Sequence, residues 1–153
     1  MNNNFQIRDI SADDAPQVAK LSRELGYSVD GDLIAKQLTS ICADSNHFAF
    51  VAISESEIIG YIHGFLAIRL TTSPFAEIGA LVVSENHRSK GIGTMLVRHL
   101  EEQMSHCESI RVRCNVKREL AHRFYEKLSF NELKEQKVFE RKLNPRQANH
   151  PSN

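Results

Sequence analysis

The stretch from Ile78 to Thr94 constrains this chain more than any other. An apolar strand, Ile78 to Val83, runs into the polar turn Ser84-Glu85-Asn86-His87 and enters a helix through Arg88-x-x-Gly91-x-Gly93. A strand feeding a glycine-punctuated turn at a helix start is a device for holding phosphate. The first backbone N–H groups of a helix have no internal partner, and the helix dipole places partial positive charge there. Gly91 and Gly93 carry no Cβ, so the main chain can approach an oxyanion closely. Arg88 and Lys90 add fixed positive charge.

Two familiar phosphate-binding fingerprints do not fit. The dinucleotide fingerprint needs Gly-x-Gly-x-x-Gly, and Met95 and Leu96 follow where a third glycine would approach. The P-loop needs Gly-Lys-Ser/Thr after four spacer residues, which is absent. The stretch resembles motif A of the GNAT family of N-acetyltransferases, Gln/Arg-x-x-Gly-x-Gly/Ala after a strand. The ligand of that motif is the pyrophosphate of acetyl-CoA.

Composition bounds the alternatives. At 153 residues, 41% apolar and 25% charged, the chain can bury an ordinary core as one domain, expected over 1–143 with a frayed polar tail over 144–153. A formal net charge of zero argues against a nucleic-acid platform or a polybasic membrane binder. The N-terminal Met1-Asn2-Asn3-Asn4-Phe5 lacks an apolar leader core, and no run reaches the length of a membrane span. Cys42, Cys107 and Cys114 sit in apolar runs and read as buried, reduced thiols of a cytoplasmic protein.

Periodicity supplies the element order. Phe5 to Ile10 alternates as a strand. Ser11 or Asp13 can cap the helix carrying Ala15, Val18, Leu21 and Leu25, which Gly26 stops. A second helix after Asp30-Gly31-Asp32 aligns Ile34, Leu38, Ile41 and Cys42. Phe48–Ile53 and Ile58–Leu70 form a hairpin across Ser54-Glu55-Ser56-Glu57. Phe75–Val83 leads into the phosphate turn, and the next helix runs to about Cys107 with Leu96, Leu100 and Met104 on one side. Ile110–Cys114 is a strand, and Arg118–Leu128 a helix with Leu120, Ala121, Phe124 and Leu128 near one face. Val138–Leu143 closes as a last strand, partnered near Phe130–Leu133. The order βααβββαβαββ implies a mixed α/β fold with helices covering a central sheet.

Asn115-x-x-Arg118-x-x-Ala121-His122-x-Phe124-Tyr125-Glu126-Lys127-Leu128-Ser129-Phe130 resembles motif B of the same family, with Ser129 where the family most often has glycine. The likeness extends from about Phe5 to Leu143. It implies a mostly antiparallel sheet splayed between the fourth and fifth strands, with acetyl-CoA in the wedge. It also implies that the backbone of Leu81, Val82 and Val83 pairs with the pantetheine arm. Arg88, Ser89, Lys90, Gly91, Ile92, Gly93 and Thr94 would hold the pyrophosphate, and Asn115 and Phe124 would complete the coenzyme contacts. No metal is implied.

Acetyl transfer to an amine needs a held thioester, a neutral nucleophile and a stabilised thiolate. With an amine pKa near 10, only roughly one molecule in a thousand is neutral at pH 7, so a base is useful. Glu77 is the candidate, a charged residue inside the apolar run Phe75-Ala76-Glu77-Ile78. The histone-acetyltransferase branch places its general-base glutamate in a similar string at the same offset. The alternative is a glutamate paired with an arginine or lysine. Tyr125 is the candidate donor to the departing sulfur, as its motif implies. His63 is either an acceptor-site group or a hydrogen-bonded structural histidine, and His87 reads as solvated. His106 and Cys107 lack metal-ligand spacing. The implied reaction is direct attack in a ternary complex, and the competing reading is a non-catalytic acyl-CoA-binding regulator. Asp30, Asp32 and Glu77 favour a cationic acceptor. A homodimer is left open.

Overall fold

Five strands, in the order β1-β2-β3-β4-β5, form one mixed sheet in a computed structural model that describes residues 4–145. The chain divides into two compact units, broken between Asn115 and Val116. The first holds β1 (Gln6–Asp9), α1 (Ala15–Glu24), α2 (Gly31–Ala43), β2 (His47–Ser54), β3 (Glu57–Ala67), β4 (Phe75–Val83), α3 (Ile92–Gln103) and β5 (Ile110–Val112). The second holds α4 (Glu119–Lys127).

Strands β1 to β4 are antiparallel neighbours, and β5 pairs parallel to β4. Successive side chains along a strand point to opposite faces, so adjacent residues serve different cores. Val51 and Val82 join Ala15, Val18, Leu21 and Leu38 beneath α1 and α2. Phe50, beside Val51, meets His99 of α3 edge-on at 4.4 Å on the other face. Leu96, Val97 and Leu100 bury the inner side of α3. Pairing between β4 and β5 covers only Ala76–Ile78 against Ile110–Val112. From Gly79 to Val83, β4 therefore runs on without a β5 partner, which matches the expected opening between the fourth and fifth strands.

The start of α1 is pinned by charge. Ser11 and Asp14 form a capping box around a short 3-10 turn, with the Ser11 N–H donating to Asp14 Oδ2 at 2.8 Å. Arg8 grips the same carboxylate through both terminal nitrogens, each at 2.8 Å. Ser11 thus caps the 3-10 turn that leads into α1, Asp14 rather than Asp13 completes the box, and α1 itself starts from Asp14 without a side-chain cap. The Arg8 hydrogen bonds hold the Asp14 carboxyl below its usual range, against the opposing effect of burial. This stabilisation is fully present above the unfolded carboxylate pKa of about 4 and is lost as pH falls through the lower folded value. Asp14→Ala is expected to cost about 2 kcal/mol at pH 7 and to flatten the acid limb of stability below about pH 4. Urea unfolding as a function of pH measures both.

Three expectations are corrected. Neither Phe130–Leu133 nor Val138–Leu143 forms a strand; residues 129–145 carry no helix or strand, and Leu133, Val138, Phe139 and Leu143 are exposed. An alternating pattern makes a strand only where a partner supplies its hydrogen bonds, and these side chains bury no face. Cys42 is exposed, with its thiol 3.7 Å from the Ile10 carbonyl, while Cys107 and Cys114 are half-buried. Leu120 lies exposed in the first turn of α4. Of the expected tail, residues 146–153 lie outside the described residues.

Candidate active site

The phosphate turn takes the form its glycines allow. After β4 comes a short 3-10 turn, Glu85–His87, and then a left-handed pair of residues, Ser89 (φ 62°) and Gly91 (φ 80°). Gly91 caps α3 without a side-chain hydrogen bond. The first helical bond in this turn is Met95 N–H to the Gly91 carbonyl at 3.0 Å. The N–H groups of Ile92, Gly93 and Thr94 thus lie at a helix start that no side chain caps. Nothing lies within 4 Å of where a Cβ on Gly91 would stand, so the backbone faces open space. Arg88, Ser89 and Lys90 are exposed around it, and Ile92 is buried beneath. His87, read from sequence as solvated, instead carries a buried Nδ1 that has no hydrogen-bond partner among the described residues. An accessible row of donors with positive side chains around it fits a pyrophosphate.

Leu81, Val82 and Val83 lie on β4 between the end of β5 pairing and this turn. Val82 is buried and its neighbours half-buried, so their side chains pack the core while the main chain runs along the strand. Asn115 is exposed shortly past β5.

Glu77 is buried in β4, opposite Phe65 of β3. Its Oε1 accepts a hydrogen bond from Arg113 Nε at 2.9 Å. Arg113 is itself largely exposed, its side chain 62% accessible against 12% for Glu77. Arg111, one pleat before Arg113, stacks its guanidinium 4.0 Å from the centre of the Phe75 ring. Sequence reasoning missed both arginines as parts of this site. The signal was present: β5 alternates Ile110-Arg111-Val112-Arg113, and its parallel register sets Arg111 beside Glu77. Asp30 is engaged as the cap of α2, its Oδ1 accepting from the Asp32 N–H at 2.9 Å.

His63 projects from β3 on the same face as Phe65. Its Nε2 lies 2.9 Å from His47 Nδ1, with the ring centres 5.1 Å apart and the ring planes within 5° of each other, an edge-to-edge hydrogen bond. Burial, followed by the neighbouring His47, pushes His63 down to about 4, so the ring is neutral at pH 7.

In the second unit, Tyr125 is buried on α4. Phe124 and Phe130 meet its ring edge-on at 5.0 and 5.3 Å. Ser129 takes the left-handed conformation (φ 68°) suited to glycine, so the substitution in the motif leaves the turn geometry in place.

The profile described as Acetyltransferase (GNAT) family matches residues 7–130. The chain belongs to the GNAT family. An uncharacterized N-acetyltransferase, CT2212, of Chlorobaculum tepidum is 31% identical over 99 residues, 65% of this chain and 59% of that relative. The match therefore spans less than two thirds of the relative's length. Among solved structures, one described as a transcriptional regulator from Bacillus halodurans C-125 is 25% identical with a TM-score of 0.77, covering 89% of this chain and 99% of that one. Aminoglycoside acetyltransferase AAC(6')-Iy, in complex with a bisubstrate analogue of CoA and acetylneamine, superposes with a TM-score of 0.78 at 16% identity. That match covers 92% of this chain and 99% of the other, and at this identity it speaks for the fold. The GNAT fold, with its mixed sheet and parallel β4–β5 pair, is that of this chain.

Proposed function

We propose that this GNAT protein transfers acetyl from acetyl-CoA to a primary amine by direct attack in a ternary complex. The observation that carries the reading is the uncapped start of α3 at Gly91, with its open approach and flanking Arg88 and Lys90. In this reading the N–H groups of Ile92, Gly93 and Thr94 and the side chains of Arg88, Ser89 and Lys90 hold the pyrophosphate. The main chain of Leu81, Val82 and Val83 pairs with the pantetheine amides, and Asn115 and Phe124 complete the coenzyme contacts. Glu77 accepts a proton from the attacking nitrogen, directly or through a water. Tyr125 donates a hydrogen bond to the departing sulfur. Thiol and phenol pKa values of about 8.5 and 10 make full proton transfer uphill by roughly 2 kcal/mol, so Tyr125 stabilises the thiolate without surrendering its proton. No cysteine is needed for an acyl-enzyme. The acceptor is a small-molecule or protein amine, and the protein works in the cytoplasm, alone or as a homodimer.

The test is release of CoA from acetyl-CoA over a panel of aminoglycosides, polyamines, amino acids and lysine peptides. Turnover with one class establishes the activity and names the acceptor. Tyr125→Phe is expected to lower kcat about tenfold while the affinity for acetyl-CoA, measured by calorimetry, stays unchanged. The Bacillus halodurans relative favours a second reading, a non-catalytic acyl-CoA-binding regulator. Tight acetyl-CoA binding without turnover on any amine decides for it.

A further inference from the structure

The charges around Glu77 do not make an acidic face. Its carboxylate accepts from Arg113 Nε at 2.9 Å, so its charge is matched. Phe75 lies one pleat before Glu77 on β4 and shares its face. Two more guanidinium groups stand over the Phe75 ring, that of Arg111 at 4.0 Å from the ring centre and that of Arg69, on the loop after β3, at 5.9 Å. We propose that Arg111 and Arg69 bind a carboxylate carried by the acceptor, so that the substrate is an amino carboxylate, its nitrogen at Glu77 and its carboxylate at the arginines over Phe75. The inference deepens the acetyltransferase reading above and rests on it.

Arg111 is seated to receive an anion. Phe75 is buried, and Arg111 on top of it is half-buried. Stacking on the ring fixes the guanidinium plane and leaves the N–H donors at its edge, in the fork that matches a carboxylate. Among the described residues, neither Arg111 nor Arg69 has an ion-pair partner or a hydrogen bond from its side chain. A partly buried charge without a partner is costly until an anion arrives. The two ring distances together put the guanidinium carbons no more than about 9.9 Å apart. One carboxylate between them relieves their mutual repulsion and gains two charge-assisted partners.

The acids that suggested a cationic acceptor are committed elsewhere. Asp30 caps α2 by accepting from the Asp32 N–H, and Asp44 stands 3.8 Å from His47. His63, neutral at pH 7, adds no charge to the face. Glu77 and Arg113 cancel, which leaves Arg69 and Arg111 as uncompensated positive charge. A polycation such as an aminoglycoside or a polyamine is repelled there, whereas a zwitterion satisfies both ends. Glu77 and Phe75 are about 7 Å apart along the strand, a span that one amino carboxylate bridges through hydrogen bonds at its two ends.

The experiment compares the best amine of the panel with the same amine stripped of its carboxylate, as lysine with cadaverine or alanine with ethylamine. Wild type is expected to favour the carboxylate form about tenfold or more in kcat/KM, with the difference in KM. Arg111→Gln is expected to lower that preference about tenfold, Arg111→Lys to keep part of it, and Arg69→Gln to lower it about threefold. Arg69 is exposed on a loop, so its variant folds and reads the same preference should Arg111→Gln fail to fold. A best acceptor without a carboxylate, or a wild-type preference near one, overturns the proposal. So does a preference that survives both glutamine variants, since loss of both rates in equal proportion marks arginines that only cover Phe75. A wild type inert toward every amine instead overturns the acetyltransferase reading, and this inference with it, so the two failures are distinguishable.

Discussion

Glu77→Gln is expected to lower kcat/KM about 100- to 1,000-fold at pH 7, while melting temperature and acetyl-CoA affinity stay near wild type. The substitution keeps volume and an Oε1 that can still accept from Arg113 Nε, now 2.9 Å away. What it removes is the negative charge that draws in an ammonium and the basicity that takes a proton during attack. Arg113 loses a counter-ion, but its guanidinium is mostly in water, where an ion pair of this kind is worth at most about 1 kcal/mol. Folding should therefore register little of the change. A base needed as the amide forms is needed even by a neutral amine, so the Glu77→Gln deficit persists at high pH. A loss below about threefold would leave Glu77 as the structural partner of Arg113 and nothing more.

The sequence was most legible where a local signal and a tertiary constraint coincide. Phe75–Val83 was bounded correctly because it is an apolar run broken only by Glu77, and the turn after it announces itself by Gly91, which takes a left-handed backbone. The stop of α1 before Gly26 and the start of α2 after Asp30 followed from caps, whose chemistry is local. The last hairpin was misread because alternation records what a segment could pair with, and pairing is decided by a partner strand. The site divides the same way. The turn into α3, with its uncapped start at Gly91, was visible in one contiguous stretch. The Glu77–Arg113 pair needs the parallel β4–β5 register, and the His47–His63 bond needs the β2–β3 register with its irregularities at Ala52/Ile53 and His63/Gly64. Each is a contact between residues far apart in the chain, which periodicity within one strand cannot report. His87 shows the limit from the other side: its polar surroundings in sequence suggested solvent, while folding buries its Nδ1.

Leu100→Ala is expected to destabilise the protein by about 3–5 kcal/mol, the largest effect of any single change argued for this fold. Leu100 is fully buried on α3. It sits against Gly64 of β3 so closely that a Cβ there would stand 2.6 Å from Leu100 Cδ2. Removing the isobutyl group opens a cavity where helix and sheet approach most tightly, and packing density allows only partial collapse around it. Denaturant titration and calorimetric melting measure the loss. Gly64→Ala probes the same contact from the other side: the added methyl drives into a leucine that has no room to swing, at a cost of about 1–3 kcal/mol. In the double variant the new methyl occupies part of the space the leucine vacates, so its cost should fall short of the sum by 1 kcal/mol or more, the sign of direct coupling. The N-terminal turn of α3 is held separately, with Ile92 Cγ2 and Leu96 Cδ1 within 3.4 Å of a Cβ placed on Gly60. Acetyl-CoA affinity measured well below the melting temperature should therefore survive in Leu100→Ala. Loss of affinity in step with stability would mean that the phosphate turn depends on the whole length of the helix, and additive energies in the double variant would mean that the glycine–leucine contact does not position α3 at all.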